Sequence, residues 1–100
     1  MEKHKLLVFP AAKRDLRDVV DYVNESSPES AIRLYDAIVK KIGSLSRMPL
    51  RCPLLKNPAL RAKGYRALKA DNFWVFYVIN GKTVEIRRIL RGRREYESII

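Results

Sequence analysis

The sequence predicts an α+β fold in which a helical hairpin packs on a sheet, and three observations predict it. Residues 11–25 and 28–46 each repeat apolar side chains every three or four positions, the spacing of one buried helical stripe. Residues 73–79 read FWVFYVI and run into Asn80-Gly81 and then TVEIRRIL, the pattern of a tight β-hairpin. A short β-leaning run, KLLVF at 5–9, stops at Pro10. At 100 residues and 47% apolar content, the chain is long enough for one domain, 1–100, with one modest core.

The first strand is expected at Lys5 to Phe9. In the first helix Ala12, Leu16, Val19, Val20 and Val23 form the apolar stripe, leaving Asp15, Asp18 and Asp21 on a solvated face. The second helix has a clear start. Ser27 can cap the free amides, Pro28 loses nothing at the first helical position, and Glu29 suits the positive helix end. Its stripe is Ala31, Leu34, Tyr35, Ile38, Ile42 and Leu45. Residues 47–64 hold three prolines, which forbid a regular helix, and read as an ordered loop pinned by Leu50, Leu54, Leu55 and Leu60.

The sheet resumes at Tyr65 to Ala70. A type I′ turn on Asn80-Gly81 sets Ile79 opposite Lys82, Tyr77 opposite Val84, Val75 opposite Ile86 and Trp74 opposite Arg87. Alternation then places Phe73, Val75, Tyr77, Ile79, Val84 and Ile86 towards the helices. The other face, with Trp74, Phe76, Val78, Glu85, Arg87, Ile89 and Arg91, is expected to stay open as the working surface.

Charge points to the same half. Residues 51–100 hold twelve Lys/Arg and four Asp/Glu, a balance of +8, against nine and seven, +2, in residues 1–50. Such a basic surface suits nucleic acid, the ribosome or an acidic partner; the plain alternative is a solvated surface with no ligand. Cys52 and His4 are each the only residue of their kind, so neither an internal disulfide nor a thiolate cluster for zinc can form, and no cofactor is expected. The N-terminal apolar run is too short for a signal segment, and nowhere do eighteen apolar residues follow one another. A cytoplasmic protein with no membrane contact is therefore expected. His4 is expected to face solvent.

The candidate binding residues are Arg66, Trp74, Arg87, Arg91, Arg93 and Arg94. Arginine recognises phosphate through several planar donors, and aromatic rings stack on bases or on guanidinium groups. The alternative for Trp74 is that it covers the stem of Arg87 as a cross-strand pair. Tyr96 could hold or accept a proton from a ribose hydroxyl, or could simply anchor the C-terminal tail. For Glu85 a salt bridge with Arg87 is favoured over a general base.

The whole chain resembles the RelE/ParE superfamily of toxins. The matching segments come in order: AAKRDLRDVVDYV, SPESAIRLYDAI, SLSRMPLRCPLL, GYRAL, NFWVFYVI, TVEIRRIL and RGRREYESII. The resemblance implies a β-α-α-β-β-β chain whose helical hairpin packs on a twisted antiparallel sheet. It implies a growth-inhibiting toxin paired with an acidic antitoxin. RelE-like members cut messenger RNA on the ribosome, with the neighbouring 2′-hydroxyl as nucleophile, whereas ParE-like members inhibit DNA gyrase. Under the nuclease reading the catalytic set would be Arg66, Arg94 and Tyr96. Trp74 stands where such nucleases usually carry an arginine, and Leu68 where some carry a lysine. Fewer cations are then left for the transition state, which puts the ParE-like reading ahead of the ribosome-dependent endoribonuclease. A non-toxic basic binding module, or a degenerate toxin, is the third reading.

Overall fold

The computed structural model describes residues 3–92 together with Tyr96 and Ile100. Along the chain lie β1 (Lys5–Val8), α1 (Pro10–Ser26), α2 (Pro28–Ser44), a single 3₁₀ turn (Pro49–Arg51), α3 (Pro58–Ala62), β2 (Tyr65–Ala70), β3 (Phe73–Asn80) and β4 (Thr83–Arg91). One residue separates the two long helices. Ser27 ends α1 by donating its N–H to the Val23 carbonyl at 2.9 Å, and its hydroxyl oxygen accepts the Ser30 N–H at 3.2 Å to cap α2. Pro28 follows as the first helical residue, as the sequence predicts.

The strands form one sheet in the order β1-β4-β3-β2. β2, β3 and β4 are antiparallel neighbours, but β1 joins β4 in parallel, so the sheet is mixed where a wholly antiparallel one was expected. A parallel pair needs a long crossover. Here the crossover is the whole chain from α1 through β3. The helices cover the inner face, where Tyr77, Val75, Val84, Ile86 and Ile89 meet Ala12, Ile38, Ile42 and Leu45. Tyr35, placed in the buried stripe by its spacing, is 43% exposed instead.

The β3–β4 register differs from the expected one by two residues on β4, because the two-residue turn lies one position later. A shift by two keeps each side chain of β3 and early β4 on its expected face. Asn80 pairs with Thr83, Ile79 with Val84 and Tyr77 with Ile86, so the turn lies on Gly81-Lys82. Gly81 has φ of +61° and Lys82 has no positive φ, which is the pattern of a type II′ turn with glycine first. The pairing then slips between Phe76 and Tyr77: Phe76 faces Arg88, Val75 faces Ile89 and Trp74 faces Leu90. Arg87 is the extra residue of this β-bulge. A bulge shifts every later side chain by one position, so Ile89 turns into the helix-facing core and Leu90 to the outer face.

The outer face is closed as well. Phe76 is fully buried, and Val78 and Tyr65 nearly so, under Leu55 and Leu60 from the proline-rich segment and beside Tyr96 and Ile100. That segment is held by backbone. The Leu55 N–H donates to the Tyr65 carbonyl at 2.9 Å, Leu54 bridges to Arg66, and Asn57 caps the single turn of α3 by accepting the Leu60 N–H at 3.0 Å. Of the four leucines expected to pin it, Leu55 and Leu60 do so, whereas Leu50 is 70% exposed. The prolines forbid a long helix, but Pro49 and Pro58 each open a short one.

Candidate functional site

The expected site gathered Arg66, Trp74, Arg87 and Arg91 on one open face. The structure does not bring them together. Arg66 pairs with Tyr77 and Leu68 with Val75, which places both on the inner, helix-facing side. Arg66 Nη1 donates to the Cys52 carbonyl, and Tyr77 Oη, buried beside it, donates to the Pro49 carbonyl at 2.7 Å. Burial is the main cause that raises the Tyr77 phenol well above its ordinary value. These two side chains tie the start of the proline-rich segment to the sheet.

Arg87 lies at the bulge on the outer side. Its guanidinium donates to Glu85 Oε1 at 2.7 and 3.1 Å and to Tyr65 Oη at 3.3 Å, and it sits 4.5 Å from the Phe9 ring centroid. The hydrogen bonds from Arg87 hold the Glu85 carboxyl below its usual range. Glu85 is thus the salt-bridge partner that the sequence favoured. Arg91, beyond the bulge, pairs with Phe73 and lines a groove on the helix side, away from Arg87.

Trp74 is half-buried in the outer cluster between Lys69 and Leu90, not opposite Arg87. Tyr96 stacks on Phe76, with ring centroids 5.2 Å apart and planes at 20°, which fits the tail-anchor reading. Arg93 and Arg94 lie outside the described residues. His4, expected in solvent, is half-buried, and its backbone N–H donates to the Ser46 carbonyl at 2.7 Å.

One carboxylate has a role its spacing hid. β1 ends at Val8, opposite Ile86, so β4 has a bare edge from there on. Asp15 of α1 closes that edge: its carboxylate accepts the Ile89 N–H at 2.9 Å and the Arg88 guanidinium at 2.7 and 2.9 Å. The same contact raises the Arg88 guanidinium further above its ordinary value. Asp18 and Asp21 stay exposed, as expected.

Two surfaces remain. The first is the groove of about 590 Å³ between the helical hairpin and the β2–β3 turn, lined by Val19, Tyr22, Val23, Leu34, Phe73 and Arg91 among others. Tyr22 on its rim is 69% exposed, and Arg91 has no ion pair among the described residues. The second is the β2 edge with its proline-rich strap. Residues 37–70 hold nine Lys/Arg and no Asp/Glu, whereas six of the eleven carboxylates fall within residues 15–36. This separation was visible in the sequence, but counting charge by halves of the chain hid it.

A family model described as the ParE toxin of the type II toxin–antitoxin system parDE matches residues 6–96. Among curated proteins none matches the sequence. The fold is similar to a chain of the chromosomal ParDE toxin–antitoxin system from P. aeruginosa, with TM-score 0.76, 23% identity, and coverage of 91% of this chain and 98% of that one. It is also similar to a chain of the RelBE2 toxin–antitoxin complex from Mycobacterium tuberculosis, with TM-score 0.64, 25% identity, and coverage of 89% and 98%. With 91 of its 100 residues inside the family model, the chain belongs to the ParE toxin family of type II toxin–antitoxin systems.

Proposed function

We propose that this toxin arrests growth by inhibiting DNA gyrase in the cytoplasm and is restrained by an antitoxin that occupies the groove beside Arg91. The observation that carries the gyrase reading is the commitment of three of the four arginines on the sheet strands. Arg66 is bound to a backbone carbonyl, Arg87 to Glu85 and Arg88 to Asp15, while Leu68 is core and Trp74 is packed. A nuclease needs a proton acceptor, a proton donor and free cations around one phosphate. Among the described residues no such set converges.

The family and the RelBE2 complex support a protein antitoxin as the partner. The groove suits one: it offers apolar side chains for a helix or strand, and beside the lining carboxylates Asp18 and Asp71 it offers the Arg91 guanidinium, which has no ion pair among the described residues. Expression of the chain alone should stop growth and induce DNA-damage signalling, and co-expression of the antitoxin should relieve both. Normal growth with abundant folded protein would favour a non-toxic binding module. Growth arrest with intact DNA and cleaved messenger RNA would favour the nuclease.

A further inference from the structure

We infer that the β2 edge and the α3 strap form a binding surface for a nucleic-acid backbone, separate from the groove beside Arg91. The acid-free run of residues 37–70 supplies the charge. Lys56, Arg61, Lys63 and Lys69 are exposed, and none of their side chains has a hydrogen bond or ion pair among the described residues. They are mounted on ordered backbone. Lys56 and Arg61 flank the Asn57 cap, Lys63 ends α3 and donates its N–H to the Ala59 and Leu60 carbonyls, and Lys69 lies on β2 across from the half-buried Trp74. The carboxylate nearest in sequence, Asp71, follows Lys69 by two residues, at the end of β2 away from α3 and from Lys56, Arg61 and Lys63.

The lysine content decides what kind of partner fits. Protein interfaces are depleted in lysine, because its flexible, strongly hydrated head is costly to bury, whereas phosphate backbones attract unburied ammonium and guanidinium groups and release counterions. Three of these four residues are lysines, and none of the four lines the groove beside Arg91. The groove beside Arg91, with its apolar lining, has the opposite character. The inference holds whether the toxin's target is gyrase on DNA or the ribosome.

The test is a fluorescence-anisotropy titration of the purified chain with a labelled 30-base-pair DNA duplex and an RNA duplex of equal length, across a range of salt. In one variant Lys56, Arg61, Lys63 and Lys69 are changed to Gln; in a control of equal net charge Lys13, Arg14, Arg17 and Arg33 on the helical hairpin are changed to Gln. We expect the first variant to lower the slope of log K against log salt by about 3 to 4, near 0.9 for each lost phosphate contact, and the control by less than about 1. Loss on either duplex upholds the inference, and the tighter duplex identifies the source of the phosphate. Equal losses in the two variants would reduce the effect to net charge and overturn it. So would unchanged duplex binding accompanied by lost antitoxin affinity, which would make the edge a protein surface. Circular dichroism and an unchanged thermal transition report that the variants are folded.

Discussion

The two faces of the sheet are both buried, but by different means. The inner face lies under two 17-residue helices, and its central side chains, Val75, Tyr77, Val84 and Ile86, are fully buried. The outer face has no such layer. It is covered by one turn of helix, two leucines and two tail residues, Tyr96 and Ile100, around a single large ring, Phe76. The difference teaches that stability is concentrated on the inner side, while the outer cover is thin and assembled from short pieces. It also moves the candidate working surfaces from the face of the sheet to its margins, to the groove at one end and the basic edge at the other.

The largest effect should come from the inner layer. Ile86→Ala leaves a cavity where the sheet meets the helices and should cost about 2–5 kcal/mol in chemical denaturation. Next is the patch that closes the β4 edge. Asp15→Ala leaves the Arg88 guanidinium and the Ile89 N–H without their acceptor and should cost about 1–3 kcal/mol, with Asp15→Asn recovering part of the loss. On the outer side, Tyr96→Ala removes only a ring stacked on Phe76 and should cost about 1 kcal/mol while leaving the helices' melting cooperative. A loss as large as that of Ile86→Ala would show that the tail is an equal part of the core.

The smallest effect is electrostatic. Because the folded-state pKa of Glu85 is lowered, its pairing with Arg87 stabilises the protein above the unfolded carboxylate value and is lost as pH falls through the folded value. The pair is partly exposed, so the contribution should stay under about 1 kcal/mol. Wild type and Glu85→Gln should therefore differ slightly in Tm at about pH 7 and converge as pH falls below the ordinary carboxylate range and through the lowered folded-state value. A difference that grows in acid would contradict the assignment.

Much of this architecture was legible because local signals agreed with tertiary packing. Ser27-Pro28 marks a cap that the structure uses, and the alternation of β3 sorts its side chains correctly. The features that escaped depend on partners distant in sequence. Asp15 follows the same helical spacing as Asp18 and Asp21, and only the end of β1 at Val8 gives it an edge to close. The bulge at Arg87 leaves no mark in TVEIRRIL, yet it separates Arg87 from Arg91 and dissolves the expected arginine cluster. Asn80-Gly81 announced a turn but not its position, since the glycine serves equally as second residue of one turn type or first of another. The outer cover could be anticipated only in part: Leu55 and Leu60 were visible as anchors, but not which face they would close.

The central proposal is that a ParE-family chain whose Arg66, Arg87 and Arg88 are already bound within the fold acts on gyrase and not on messenger RNA. The most direct measurement places the purified protein in a gyrase supercoiling assay and, in parallel, in a translating extract programmed with a defined message. The account predicts inhibited supercoiling and an intact message. Ribosome-dependent cleavage of the message that disappears in Arg94→Ala, with supercoiling untouched, would contradict it.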